Sequence, residues 1–179
     1  MVDGELTITR MDLQSASLLQ ISPEDHSDVA RLAARAFGNH PAGHSAAHGP
    51  RAYSIGPTEW LLINYSVDHL RRQLRTGLGR AHVRLTDVSA AFTSFKVEGS
   101  AARTVLANDI SSSWVAHGSQ PGQYVRTQLG QVEVLLHCVG PDAFELHVDR
   151  GAAEYLKGWL DARRAEWFLS GASDGDPRH

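Results

Sequence analysis

The 179-residue chain balances 17 Lys and Arg against 20 Asp and Glu, a net charge of −3 with His neutral, and is 42% hydrophobic and 21% charged. That length suits one domain, or two closely packed lobes sharing a core, and the mild acidity excludes the basic footprint of a nucleic-acid or anionic-membrane binder. No basic segment followed by an apolar one opens the chain, and no apolar run approaches the roughly 20 residues of a membrane span, so the expected compartment is the cytoplasm.

Taken in order, residues 1–25 are weakly patterned, with alternation from Met1 to Arg10 that allows a short strand. Ser22-Pro23-Glu24-Asp25 reads as a helix start: a Ser cap, Pro at the first position, and acids in the first turn. Val29, Leu32, Ala33 and Phe37 then share one face, which predicts a helix over 23–37 stopped by Gly38. Residues 38–52 hold Gly38, Pro41, Gly43, Gly49 and Pro50 and read as a loop. His40, His44 and His48 are spaced as three ligands on a helix face would be. Pro41 and Gly43 oppose a helix there, and no acid or cysteine completes a metal shell.

Gly56-Pro57 is a turn feeding a strand over Trp60–Asn64, and Ser66 caps a predicted helix over 67–76 that buries Val67, Leu70 and Leu74. The Arg71, Arg72 and Arg75 cluster on that helix reads as a solvated face. Strands follow over Ala81–Val88 and Phe92–Val97, then a helix over 100–107 capped by Ser100, with Val105 and Leu106 inward. Asn108–Pro121 is a polar loop carrying Trp114, which reads as a core plug or a contact aromatic. Gln123–Leu129 and Gln131–Cys138 form a hairpin about Gly130, and Phe144–Val148 adds a further strand. The last helix, over 150–167, carries an apolar stripe of Ala152, Leu156, Trp159, Leu160 and Trp167, and Ser170–His179 is a polar tail. The succession is α+β with mainly antiparallel pairing.

Chemistry is hard to place. The lone Cys138 ends an apolar run, which excludes an intramolecular disulfide and reads as a core residue. There is no phosphate-binding Gly loop and no nucleophile elbow. Asp87, Glu98, Asp109, Glu133 and Glu145 stand singly, and alternation puts most of them on solvent faces. The ten histidines are dispersed and read as surface or hydrogen-bonded residues. No catalytic, cofactor-binding or metal-binding residue is expected in the chain.

Two segments resemble the glycine-cleavage T-protein (aminomethyltransferase) family. One is Asp87-Val88-Ser89 followed by the strand-to-helix turn Phe95-Lys96-Val97-Glu98-Gly99-Ser100-Ala101-Ala102; the other runs from Gly122 to Cys138 and on through Phe144–Arg150. The chain more closely resembles the gamma subunit of heterotetrameric sarcosine oxidase. That likeness is carried by Gly56-Pro57-Thr58-Glu59-Trp60-Leu61-Leu62 and by Thr127-Gln128-Leu129-Gly130-Gln131-Val132-Glu133-Val134-Leu135-Leu136-His137, over roughly residues 53–165.

The resemblance implies an α+β fold of mainly antiparallel sheets with packed helices, similar to the folate-binding domain of aminomethyltransferase. It divides the chain into an N-terminal arm (1–52), a gamma-like domain of two packed lobes (53–168) and a polar tail (169–179). Where the enzyme branch carries an acid after the hairpin glycine, this chain has Gln131-Val132-Glu133-Val134, one alternating acid and no carboxylate pair. The resemblance thus implies a folate-domain fold without its own folate site. Such complexes demethylate sarcosine to glycine at a flavin. They pass the one-carbon unit to tetrahydrofolate as 5,10-methylenetetrahydrofolate, or release formaldehyde, and reduce oxygen to hydrogen peroxide. The resemblance places FAD, FMN, NAD and tetrahydrofolate in the alpha and beta subunits and zinc in the delta subunit. It implies that this chain packs on the alpha subunit, with Trp60, Trp114 and the last helix as candidates for the buried surface. The competing readings are an independent folate-dependent aminomethyltransferase-like protein and a stand-alone scaffold of the same fold.

Overall fold

Short runs of alternating or continuous apolar residues, separated by Gly, Pro and Asp turns, build nine strands among the described residues. The computed structural model describes residues 5–11, 13, 15–22, 45, 49–68, 70–72, 82–108, 110, 114–115 and 119–173. The helix expected over 23–37, the histidines at 40, 44 and 48, the end of the helix expected over 67–76, and residues 174–179 lie outside them. The chain forms two compact units, one of residues 1–11, 93–121 and 125–179, the other of 12–92 and 122–124.

The first unit is built on a five-stranded sheet. Its strands are β1 (Thr7–Met11), β6 (Phe92–Glu98), β7 (Tyr124–Leu129), β8 (Val132–Gly140) and β9 (Ala143–Asp149), in the order β1-β6-β9-β8-β7. β1 pairs antiparallel with β6, and β9 antiparallel with β8. Two helices, α1 (Ala102–Ala107) and α2 (Ala153–Ser173), supply the second layer. Phe95, Val97, Leu136, Cys138, Phe144, Leu146 and Val148 from one face of the sheet share a core with Val105 and Leu106 of α1 and Leu156 and Leu160 of α2. Each fully buried Leu or Phe there contributes about 2 to 3 kcal/mol, so this face carries most of the unit's driving force. Ala152, Trp159 and Trp167 pack partly buried against it, which agrees with the expected stripe of the last helix.

Two local features differ from the sequence reading. The helix expected to start at a Ser100 cap begins at Ala102 and has no side-chain cap; the Gly99 carbonyl takes the Ala102 N–H at 2.9 Å instead. The last helix, expected to end at 167, runs to Ser173, because Ser, Gly and Ala tolerate one more turn once the preceding turns are packed. Its start is as expected: Asp149 accepts the Gly151 N–H at 2.7 Å and opens a short 3-10 turn leading into α2.

The second unit is built on a four-stranded sheet of β2 (Ala16–Ile21), β3 (Arg51–Gly56), β4 (Glu59–Ile63) and β5 (Val83–Asp87), ordered β3-β4-β2-β5 with all pairings antiparallel. Leu19, Ile21, Trp60 and Leu62 form its core with Leu70, which lies in the helical stretch that begins at 67. Arg71 and Arg72 on that stretch are exposed, as a solvated face requires. β3 begins at Arg51, inside the stretch expected as a loop, because pairing of Arg51 with Ile63 extends the ladder past the local Gly-Pro signal. Both strands of the weakly patterned opening of the chain join a sheet, β1 at the edge of the five-stranded one and β2 inside the four-stranded one. Among the described residues no helix is long and apolar enough to cross a membrane.

Candidate functional site

Three motifs that stand out in the sequence each have a structural task. At Asp87-Val88-Ser89, the Asp87 carboxylate accepts the Ser89 N–H at 2.9 Å and the Ser89 hydroxyl at 2.6 Å. Ser89 Oγ in turn accepts the Ala16 N–H at 2.9 Å. The Val88 N–H reaches the Ala16 carbonyl at 2.9 Å, so the clamp continues the β2–β5 pairing one step beyond Asp87. These bonds hold the Asp87 carboxyl below its ordinary value.

Ser89→Ala is expected to lower stability by about 1 kcal/mol, read as a shift of the urea midpoint at constant slope. A lowered carboxylate pKa adds stability that is complete above the ordinary value of 3.8 and fades as pH falls through the lowered one. The stability gap between the wild type and Asp87→Ala should therefore narrow from neutral pH into strong acid.

At Gly56–Leu62, the Gly56-Pro57-Thr58 turn delivers Glu59 opposite Gln20, whose side-chain amide donates to the Glu59 carboxylate at 2.7 Å. Trp60, Leu61, Leu62 and Ile63 are all buried, so this strand is enclosed on both faces. Trp60, expected as a candidate contact aromatic, is a core residue at 9% exposure. Trp114 packs partly buried on the core of the first unit, beside the fully buried Val115. Arg103 fastens that loop: its guanidinium donates to the carbonyls of Val115 and Pro141 and to Ser119 Oγ at 2.7 to 2.9 Å, and stacks over Phe144.

In the hairpin motif, Gly130 has φ +59, a left-handed conformation that favours glycine, and a Cβ there would stand 2.8 Å from the Tyr155 hydroxyl and 3.0 Å from Trp159, so side chains of α2 lie close against the turn. Glu133 is on the strand surface, paired with Arg126, as alternation places it. Cys138 is fully buried, in keeping with a core thiol.

Glu145 departs from the sequence reading. Alternation puts most of the single acids on solvent faces, but Glu145 is 7% exposed. Alternation along β9 sends Phe144, Leu146 and Val148 into the core beneath the helices and Glu145 and His147 to the opposite face of the sheet. That second face is also buried: His147 is 2% exposed, and Ser94 on β6 and His137 on β8 are fully enclosed. Ser94 Oγ lies 2.5 Å from His147 Nδ1, and His147 Nε2 lies 4.0 Å from a Glu145 carboxylate oxygen. His137 faces Glu145 across the β8–β9 register.

Serine, imidazole and carboxylate in line suggest a nucleophile relay, but a nucleophile must meet its substrate, and Ser94 has no exposed surface. The cluster is a buried polar network inside the sheet. The sequence carried a signal for it that alternation alone could not decode: Glu and His two apart within Phe, Leu and Val, and a His closing an otherwise apolar run.

The fold is found in proteins of known structure. The chain matches glycine cleavage system aminomethyltransferase T from Bartonella henselae with a TM-score of 0.58 at 13% identity, over 88% of this chain and 46% of that one. It matches heterotetrameric sarcosine oxidase from Corynebacterium sp. U-96, in complex with pyrrole 2-carboxylate, with a TM-score of 0.69 at 21% identity, over 90% of this chain and 84% of that one. No curated protein matches the sequence. At these identities the structural likeness shows the fold alone, an α+β arrangement with mostly antiparallel sheets and few helices. The family is given by the sarcosine oxidase, gamma subunit family model, which matches residues 45–166, well over half of the chain. The chain belongs to the sarcosine oxidase gamma subunit family. Membership makes it a subunit of an oxidoreductase complex, one that contains other subunits.

Proposed function

We propose that the chain is the non-catalytic gamma subunit of a complex that oxidatively demethylates sarcosine to glycine, and that it packs on the alpha subunit. The family match over residues 45–166 carries this reading. It is supported by what the motifs do: the Asp87–Ser89 clamp, the Glu59–Gln20 pair and the Gly130 turn all hold sheets and helices together. The buried Ser94–His147–Glu145 line offers no surface at which a substrate could react. In this reading the chain itself has no catalytic, cofactor or metal site. FAD, FMN, NAD and tetrahydrofolate are bound by the alpha and beta subunits and zinc by delta, and the assembly works in the cytoplasm. The chain contributes apolar surface that the alpha subunit buries on assembly.

Co-expression of the tagged chain with its neighbouring genes tests this. The expected product is a yellow complex with larger flavin-bearing chains that oxidises sarcosine and releases hydrogen peroxide. A colourless chain purified without partners would overturn the proposal.

A further inference from the structure

We draw no further inference here: the strongest candidate, the buried Ser94–His147–Glu145 line with His137 on the second face of the five-stranded sheet, belongs to the cluster already described, and nothing among the described residues shows which groups close over it or what ligand would reach it.

Discussion

Gly99→Ala is expected to cost at least about 4 kcal/mol, enough to unfold the first unit if its stability is ordinary. Gly99 sits at φ +124, a region that L residues with a side chain rarely adopt. A Cβ there would lie 2.0 Å from the carbonyl oxygen of Glu5 and 2.6 Å from its carbon. Those atoms are backbone, so no rotamer change relieves the clash. Nor can the turn shift freely: the Gly99 N–H reaches Asp142 O at 3.0 Å, and the Gly99 carbonyl receives the Ala102 N–H that starts α1. Strain of about 1 to 3 kcal/mol from the backbone region alone is compounded by the clash and by displacement of the chain leading into β1. Gly158→Ala is the control. Gly158 is helical and exposed with open space around it, so the change should raise stability by up to about 1 kcal/mol. Urea unfolding of the two variants should therefore move the midpoint in opposite directions. Equal, small shifts would show that the Gly99 turn relaxes.

The second large effect is expected at His147. His147→Ala should lower stability by about 3 kcal/mol, through lost packing of a buried ring and through the polar groups left around the gap. Ser94 Oγ loses its neighbour at 2.5 Å, and the Glu145 carboxylate loses the imidazole 4.0 Å away. Ser94→Ala removes only a hydroxyl and should cost about 1 kcal/mol. Because the two side chains share one bond, the double variant should cost less than the sum of the single ones, with a coupling of about 1 kcal/mol. A strictly additive cycle, or a His147→Ala cost below 1 kcal/mol, would show that the cluster is not a network. If His147 were instead catalytic, the complex reconstituted with a folded variant would lose turnover out of proportion to its loss of stability. The accessory reading expects turnover to follow assembly.

Strand existence was legible because the strands are short and well punctuated. Gly56-Pro57, Gly130 and Pro141-Asp142 bound β4, β8 and β9 within a residue or two of their expected places. The apolar stripe of the last helix was equally clear, since Leu156 and Leu160 repeat at helical spacing and are buried. The family likeness was legible in the same stretches. Its motifs are turn and clamp residues: the Asp87–Ser89 bonds are local, while Ser89 with Ala16 and Glu59 with Gln20 join strands distant in sequence.

Other features were not legible, for a common reason. A Ser before a helix looks like a cap whether or not its side chain reaches the backbone, and at Ser100 it does not. A Trp in a turn-rich motif looks available for contact, yet Trp60 is packed into a core by strands distant in sequence. Glu145 and His147 alternate with core residues as a solvent face would, and only the enclosure of that face shows them to be buried.

The sequence by itself determined the local conformations, the α+β class and the family, because turn chemistry and side-chain periodicity act over a few residues. The tertiary structure decided the order of the strands. β1 lies beside β6, and β2 lies between β4 and β5, through hydrogen bonds whose partners leave no mark on each other's sequence. It also decided burial on the second face of the five-stranded sheet, which turns Ser94, His147 and Glu145 from scattered polar residues into a network. And it left one face of α2 in water, because a helix of this length can press only one side against its own core.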